Sequence, residues 1–457
     1  MMRSMFSGVS GLSAHQAKMD VIGNNIANVN TVGFKSGRVT FQEVFSQTIK
    51  GAAAPDTASS RGGTNPMQVG LGVSVAAMDT IHTRGSLQRT DNPTDLAIDG
   101  DGFFIVKTGD SAPSFTRAGN FGFDKLGNLG TADGMLVQGW MQRKEGSMSE
   151  YDTEAPMEGI NIYEDDYTGN KRIISAKETT AAKFAGNLDS SFESMKDIDA
   201  TSVLAVSTDN LATIEGKITT TGAETFSVPY TVYDKLGNDT TITITFVKNQ
   251  VDNTDPAAPE TEWFWYTDIT DTSDVPKQGL ITFDENGKIT SGETDSINVI
   301  PDATAGTDTF AVDIDFSKLT QFKADGSVKA TDVDGYTTGE LVNVSIGSDG
   351  IITGIYGNGQ MQALGMIGVA YFSNPAGLQK TGNNLYIPTT NSGDFTKGVK
   401  PGSEGTGALS PGTLEMSNVD LSKEFTEMIT TQRGFQANSR IITTSDEMLQ
   451  ELVNLKR

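Results

Sequence analysis

Two histidines, His15 and His82, are the only imidazole groups in the 457-residue chain, which has no cysteine. Neither histidine lies in an HExxH or paired-His spacing that binds zinc. The lack of cysteine excludes thiol nucleophiles, disulfides and Cys-ligated zinc. We therefore predict structural or surface roles for both, with His15 in a helix and His82 in a strand-like stretch.

One acid-rich stretch has the composition of a calcium loop. The sequence "LAIDGDGFF" (96–104) follows Asp95 and contains two further aspartates. When an EF-hand loop is started at Asp95, its third position is Ala97 and its twelfth is Val106, where the site needs carboxylates. This pattern favours a turn between two strands over a calcium site.

Other candidate motifs are weaker. We interpret Asp332 and Asp334 as parts of solvated turns. The Gly-rich "GIYGNGQ" from Gly354 lacks the Lys and the helix of a phosphate-binding loop. Counting carboxylates does not exclude a glycosidase pair, but nothing in the sequence singles one out. We predict no enzyme activity, no catalytic residue, no cofactor and no metal site.

The net charge argues against several classes of partner. The chain has 34 basic and 58 acidic residues, a formal net charge of −24. Such a chain repels phosphate backbones, so we expect no nucleic-acid partner. The longest apolar run, Leu364–Phe372, is far shorter than the ~20 residues that span a bilayer. The first residues lack the apolar core of a secretory signal peptide, so neither membrane insertion nor a cleaved signal is expected.

The acidity is concentrated in one block. Residues 175–325 contain 10 Lys, no Arg and 26 Asp or Glu, a net of −16. From about residue 70 to residue 395 the sequence alternates with the period of β-strands. We interpret the acidic block as an all-β domain inserted into another β domain.

A turn signal recurs three times in this middle region. It reads "FDKLGN" from Phe123, "YDKLGN" from Tyr233 and "FDENGK" from Phe283. In each copy an Asp can bond the backbone and a Gly can adopt positive φ. The sequence therefore predicts three hairpins.

The two ends follow a helical period instead. Apolar residues recur three, four or seven positions apart at each end, and Asp420 is a good cap for the second helix. Two such helices cannot both bury a stripe against a domain that begins some 40 residues away, so we predict packing against each other and against other copies. The predicted inter-subunit packing residues are Met5, Val9, Leu12, Met19, Ile22, Ile26, Leu421, Phe425, Met428, Phe435, Ile442 and Leu449.

Amide side chains are unusually frequent on the same helices, although asparagine is a middling helix former. One hypothesis is that they form polar contacts between subunits; the alternative is that they face water. The set comprises Asn24, Asn25, Asn28, Gln432, Gln436 and Asn438. Gly33, in "NTVGFK", suits a chain reversal after the first helix.

Long stretches resemble the bacterial flagellar rod and hook protein family. "SGLSAHQAKMDVIGNNIANVNTVGFKSGRVTF" is similar to the N-terminal motif of that family, and "TLEMSNVDLSKEFTEMITTQRGFQANSRIITTSDEMLQELVNLKR" to its C-terminal motif. "NPTDLAIDGDGFFIVK" resembles the β domain that its members share. The length and the acidic insert favour the hook branch over the shorter distal rod branch, while no motif in residues 253–310 supports the resemblance.

This resemblance implies an α+β multidomain fold, with terminal helices forming an inner coiled coil around nested all-β domains. The expected parts are terminal helices (1–30 and 420–457), a linker region (31–75 and 396–419), a middle β domain (76–174 and 326–395) and an outer acidic insert (175–325). The small-residue stretch 51–66 is interpreted as linker.

The resemblance also implies a function. The expected role is that of a structural subunit of a curved hollow tube, a universal joint that passes torque to the filament. Implied partners are other copies, the distal rod protein, the hook cap, the hook–filament junction protein and the type III export apparatus. The implied location is extracellular, in the flagellum. The alternatives are a distal rod protein and an extracellular β-domain binding protein.

Overall fold

The computed structural model describes residues 2–55, 62–109, 111–144, 150–167, 169–195, 209–252, 260–270, 275–301, 306–403 and 405–455. It has a long helix at each end, α1 (Met2–Ala27) and α3 (Leu421–Asn454), and a mostly β middle. The predicted α+β multidomain class is confirmed. Asp420 caps α3 by accepting hydrogen bonds from the backbone N–H groups of Ser422 and Lys423.

The strands before the acidic block are short. They are β1 (Gly37–Glu43), β2 (Ser46–Lys50), β3 (Met67–Gly70), β4 (Val73–Thr80), β5 (Leu87–Arg89), β6 (Leu96–Asp99), β7 (Phe103–Lys107), β8 (Ser114–Thr116), β9 (Phe121–Phe123), β10 (Leu129–Thr131), β11 (Leu136–Trp140), β12 (Glu158–Gly159), β13 (Glu164–Asp165) and β14 (Gly169–Asn170).

Longer strands follow, with one further helix among them. They are β15 (Ile173–Ile174), β16 (Ala181–Asp189), α2 (Leu211–Thr221), β17 (Thr225–Tyr233), β18 (Asp239–Asp252), β19 (Glu260–Thr270), β20 (Pro276–Phe283), β21 (Ile289–Ser291), β22 (Thr294–Val299), β23 (Phe310–Phe322), β24 (Lys329–Val333), β25 (Gly339–Ile346), β26 (Ile351–Tyr356), β27 (Met361–Ile367), β28 (Val369–Ala370), β29 (Gln379–Gly382), β30 (Leu385–Ile387), β31 (Ala408–Pro411) and β32 (Thr413–Glu415).

The chain forms two compact units. The first contains residues 1–171, 343–354 and 361–457, and the second contains residues 172–342 and 355–360. The first unit therefore holds both chain ends. The two chain segments that build its β part are paired directly, because β31 lies antiparallel to β6 and β32 antiparallel to β5.

The first unit has its core under an antiparallel sheet ordered β11–β7–β8–β30–β29. Alternating residues of β7, Phe103 and Ile105, pack with Phe115, Phe372 and Tyr386 on one face of this sheet. Edge-to-face ring contacts connect the aromatic members, as between Phe115 and Phe372 at 4.8 Å. Strand β7 is buried on both faces of the sheet, which explains its apolar sequence "FFIV".

The second unit is a two-layer β structure. A sheet ordered β22–β23–β16–β24 faces a meander ordered β17–β18–β19–β20–β21. Phe184 and Phe316 of the first sheet pack against Phe246 and Trp265 of the meander, and all four are buried. Helix α2 covers the other face of the meander with Ile214 and Ile218.

The three predicted hairpin turns are confirmed. Each Asp accepts hydrogen bonds from the backbone N–H groups two and four residues later, as Asp234 does from Leu236 and Asn238. Gly237 has φ of 87°, a conformation that favours glycine. The other two turns, at Asp124 and Asp284, repeat this arrangement and join β9 to β10 and β20 to β21.

The acidic block also contains helix α2, which the strand-like alternation did not predict. Asn210 caps its N-terminus and Gly222, with φ of 69°, ends it. Ile214 and Ile218 are four residues apart and share one face. The capping residues that begin and end this helix are present in the sequence. The strand-like alternation around them favoured an all-β interpretation of the block.

Three local interpretations were wrong. Asp332 lies in β24 and not in a turn, and it pairs with Lys183 at 3.0 Å. Asp334 is not simply solvated, because it accepts hydrogen bonds from the backbone N–H groups of Thr180 and Ala181. His82 lies in the irregular segment between β4 and β5, where burial lowers its pKa to about 4.

The segments interpreted as linkers have more regular structure than expected. Residues 31–75 contain β1, β2, β3 and the start of β4, and residues 396–419 contain β31 and β32. The stretch 51–66 is rich in small residues, but it connects strands β2 and β3, which pair antiparallel, and does not lie between a helix and a strand. Residues 56–61 of this stretch, and parts of 253–310, lie outside the described residues.

Candidate assembly interface

Helices α1 and α3 pack against each other in antiparallel orientation. A Cβ on Gly8 would lie 3.2 Å from Ile442 Cγ1, and one on Gly11 would lie 2.7 Å from Asn438 Nδ2. Further along, a Cβ on Gly434 would lie 2.7 Å from His15. Glycine therefore allows the two helices to approach more closely than larger residues would permit.

The seam of α3 alternates between two kinds of residue with heptad spacing. Large apolar side chains occupy one position of each heptad and small or polar ones occupy the other, of which Thr431 and Ser445 are buried. The first set is Met428, Phe435, Ile442 and Leu449, and the second is Glu424, Thr431, Asn438 and Ser445. An apolar seam at only one of two positions is weaker than that of a regular coiled coil.

The structure places the predicted packing residues in two groups. Met5, Leu12, Met19, Ile22, Ile26, Met428, Phe435, Ile442 and Leu449 are buried or half-buried. Val9, Leu421 and Phe425 are exposed. Contacts within one chain thus bury some of the predicted packing residues at least partly. That these residues also pack between subunits stays a prediction.

The predicted amide contacts also divide. Asn25 is buried within its own chain, where its side chain donates to Gly37 O at 2.9 Å and accepts from Gly37 N at 2.9 Å. Asn28 donates to Asn24 O at the end of α1. Gln432 and Gln436 are exposed, and Asn438 faces Gly11. Asn25 thus connects the end of α1 to β1, and a role for the others between subunits stays a prediction.

A large apolar surface remains uncovered on the helix pair. Ten large apolar side chains of the two helices and the residue after α3 are exposed: Phe6, Val9, Leu421, Phe425, Ile429, Ile441, Met448, Leu452, Val453 and Leu455. Exposed apolar side chains in such number on two packed helices are typical of interaction sites. Packing between the two helices therefore buries only part of their apolar surface.

The segment 37–80, here called the arm, adds to this surface. Strands β1 and β4 pair, then β2 and β3, and Val44 N–H to Gly72 O at 3.1 Å connects the two pairs into one two-stranded ribbon. Neither pair adds a third strand among the described residues. Its exposed apolar side chains are Phe41, Val44, Phe45, Ile49, Met67, Val69 and Met78. Strands β1 and β4 pack against α1, as in the ring contact between His15 and Phe41 at 5.9 Å. An isolated two-stranded ribbon is marginally stable in water, and the outer pair β2–β3 is the part of the arm that most needs a further surface.

A buried ionic cluster holds the base of the helix pair. Lys35 Nζ lies 2.6 Å from Glu415 Oε1, and Arg117 Nη1 lies 3.4 Å from Glu415 Oε2. All three side chains are nearly inaccessible. Burial lowers the pKa of Lys35 and of Arg117, while Glu415 opposes that change in both. Removing one member would leave a buried charge uncompensated.

Asn418 joins the same region. Its side chain accepts from Ser36 N at 2.8 Å and donates to Ile81 O at 2.8 Å, so the segment before α3 is fixed to both sides of the arm's base. Lys35, Arg117, Glu415 and Asn418 were not among the residues predicted from the sequence. No periodicity relates residue 35 to residue 415, and a buried charge cannot be recognised without its partner.

Within the described ranges, no group of three His, Cys, Asp or Glu is arranged to hold a metal ion. No helix there is both long and apolar enough to cross a membrane.

Four families match successive parts of the chain. Residues 5–35 match "Flagella basal body rod protein", and residues 97–175 match "Flagellar hook protein FlgE/F/G D1 domain". Residues 197–336 match "Flagellar basal body protein FlaE D2 domain", and residues 410–455 match "Flagellar basal body rod FlgEFG protein C-terminal". The chain belongs to the bacterial flagellar hook and rod protein family.

Relatives in this family include hook and rod proteins. The chain is 39% identical to the "Flagellar hook protein FlgE" of Borreliella burgdorferi, over 100% of both chains. It is 33% identical to the "Flagellar basal-body rod protein FlgG" of Bacillus subtilis, again over 100% of both. A solved structure, the "flagellar hook protein FlgE2" of Helicobacter pylori, matches 72% of this chain and 100% of its own at 14% identity, with a TM-score of 0.48.

Proposed function

We propose that this chain is the structural subunit of the flagellar hook and polymerises into a curved hollow tube that passes torque from rod to filament. The observation that carries this proposal is the uncovered apolar surface of α1, α3 and the arm, in a chain that belongs to the hook and rod family. Burying each large apolar side chain contributes about 1.5–3 kcal/mol, so a neighbouring copy that covers this surface gains substantial free energy.

The helices form the wall of the inner channel in this proposal, and the β parts form the layers outside it. The proposed layers keep the predicted parts: terminal helices (1–30 and 420–457), a connecting region (31–75 and 396–419), a middle β domain (76–174 and 326–395) and an outer acidic insert (175–325). The contact between copies repeats without closing on itself, which produces a helical polymer.

The weak seam between α1 and α3 suits a joint that bends. Because small and polar residues occupy one heptad position, α3 can shift along α1 without exposing a large apolar patch. In this proposal the exposed packing residues, Val9, Leu421 and Phe425, bury against neighbouring copies, and the exposed amides Gln432 and Gln436 bond across subunits.

The finer partners follow from the same role. They are the distal rod protein at one end, the hook–filament junction protein at the other, and the hook cap during growth. The type III apparatus would export the chain without a cleaved signal, to a location outside the cell. The protein acts as a building element and not as an enzyme.

The alternative is a distal rod protein of the same family, since one relative with a rod name is 33% identical over its whole length. The 39% identity to a hook protein favours the hook. The two roles are separable by shape, because rods are straight and hooks are curved.

The test is complementation of a bacterium whose own hook gene is deleted, followed by electron microscopy of isolated basal bodies. Curved tubes beyond the rod support the proposal, and a lengthened straight rod supports the alternative. Purified protein that forms only discrete particles under all polymerising conditions contradicts both.

A further inference from the structure

A cavity of about 340 Å³ lies where the end of α1, the beginning of α3 and β1 meet. Its lining includes Lys18 and Asn25 from α1, Arg38 from β1, and Glu424 and Glu427 from α3. Ligand pockets in proteins typically measure about 300–1,000 Å³, so the cavity is large enough to take a side chain from outside. It is called the Glu424 cavity below.

Glu424 is the unusual residue in this cavity, because it is only 9% exposed. Its carboxyl oxygen Oε2 is buried and accepts no hydrogen bond from any residue that the structure describes. Burial raises the pKa of Glu424, and the Glu427 carboxylate raises it further. The nearby Asn25 side chain, whose amide donates to Gly37 O, lowers the pKa of the Glu424 carboxyl group. A buried carboxylate with an open acceptor is unfavourable unless a donor or cation reaches it.

The cations around the cavity have other partners. Lys18 pairs with Glu427 at 3.1 Å, and Arg38 pairs with Asp79 at 3.1 Å. Lys423 is adjacent to Glu424 on the helix, and adjacent helical positions do not face each other. The charges of Lys423 and Lys18 lower the pKa of Glu424, but neither side chain forms an ion pair with it among the described residues. A cation in direct contact with Glu424 therefore has to come from another molecule.

Helix α3 presents such a cation further along its length. Arg433 and Arg440 are exposed and one heptad apart, so they lie on the same face. No acid lies three or four positions from either residue, as the sequence "ITTQRGFQANSRIITT" shows. Arg433 donates to Gln436 at 3.4 Å, whereas no side-chain partner of Arg440 is seen in the described part of the chain. The helix thus carries acids near its beginning and unneutralised arginines in its middle.

We propose that the Glu424 cavity receives the guanidinium of Arg440 from a second copy of this chain. The inference rests on the proposed function, namely that copies polymerise. The guanidinium donates to the Glu424 carboxylate, which turns in its side chain to present an oxygen to the cavity, and its several N–H donors can serve Glu427 as well. Glu424 and Arg440 are sixteen positions apart on α3. For two parallel α3 helices in neighbouring copies, this contact requires an offset of about 24 Å along the helix axis.

The test is the critical concentration for polymerisation of the full-length protein, measured by sedimentation. Glu424→Gln and Arg440→Gln should each raise it at least tenfold, since each leaves one buried partner unpaired. The double variant should be no worse than either single variant, because both remove the same interaction. Arg440 is exposed, so its variant folds normally even if Glu424→Gln does not, and circular dichroism of the monomer checks both.

Two control variants match the charge changes. Arg433→Gln removes the neighbouring arginine on the same face, and Glu451→Gln removes an exposed acid of α3; both should stay within about twofold of the wild type. Unchanged polymerisation of Arg440→Gln, additive effects in the double variant, or a larger effect of Arg433→Gln would each overturn the assignment. A wild-type chain that forms no polymer overturns the proposed function and the contact together, whereas a wild-type polymer with unaffected variants overturns the contact alone.

Discussion

The second unit and the helix–arm region, meaning α1, α3 and the arm, differ in how they bury apolar surface. In the second unit, two sheets enclose a core of aromatic and branched side chains, and only five large apolar residues are exposed among its described part. In the helix–arm region, seventeen are exposed, because α1 and α3 cover only part of each other's apolar surface and no third strand joins the ribbon among the described residues.

This difference separates folding from assembly. The second unit buries most of its large apolar residues within one chain. The helix–arm region satisfies only part of its surface within one chain. We therefore expect a substitution in the helix–arm region to impair polymerisation, and a substitution in the core of the second unit to lower the stability of that unit.

The largest expected effect is on assembly. A charge at Phe435→Asp or Ile26→Asp enters the half-buried seam of the helix pair, where an unpaired carboxylate is unfavourable. Because one defect per copy repeats along the polymer, we expect no tubes, with the thermal unfolding of the second unit unchanged. Electron microscopy and calorimetry measure the two effects. Normal motility in cells that carry either variant would contradict the division of roles.

The reverse experiment places the defect in the second unit. Phe316 is fully buried between Phe184, Phe246 and Trp265, so Phe316→Ala should destabilise this unit by about 3–5 kcal/mol. At low temperature, where the unit is still folded, polymerisation should continue. Fluorescence of Trp263 and Trp265 during urea unfolding reports the loss. A variant that unfolds as expected and also cannot polymerise at low temperature would show that the regions are coupled.

A smaller effect concerns pH in the first unit. Burial, then the Lys35, Arg117 and Lys380 cations, lowers the pKa of His82 to about 4, against about 6.5 in the unfolded chain. The unfolded chain binds the proton more readily, so the unit loses up to about 3 kcal/mol as the pH falls from 6.5 to 4.

His82→Gln should remove this part of the pH dependence. Hydrogen exchange of β7 amides at pH 7.5 and at pH 4.5 measures the unfolding free energy of the unit in both proteins. Parallel pH dependence in the wild type and the variant would rule out His82 as the source.

The smallest effect is on curvature. If the acidic insert lies on the outside of the tube, its net charge of −16 opposes close approach of neighbouring inserts on the inner side of the bend. Screening over a Debye length of ~8 Å at physiological salt limits this repulsion. Higher salt, or a pH nearer the isoelectric point of 4.4, should change the resting curvature in electron micrographs. Constant curvature across both series would assign the bend to contacts of fixed shape.

The sequence predicted features that depend on neighbouring residues. The hairpins at Asp124, Asp234 and Asp284 and the cap at Asp420 follow from side chains bonding to backbone groups within four residues. The period of the terminal helices was visible for the same reason.

The missed features depend on distant residues. Lys35 and Glu415 become neighbours only through pairing of β32 with β5 and the turn after α1. The arm was taken for a linker because its exposed strands lack the in–out alternation that marks a strand with one buried face. The cavity at Glu424 likewise exists only when three separate elements meet.

The buried pair of Lys35 and Glu415 has a consequence for the order of folding. The pair closes a loop of 380 residues, whereas the β17–β21 meander is built from hairpins between successive strands. Contacts of short sequence separation form sooner, because less chain entropy is lost before they are made. We therefore expect the meander to fold early and the junction of the two chain ends to form last. A chain that emerges from its N-terminal end could not complete this junction before Glu415 arrives, and α1 would remain unpaired until α3 follows.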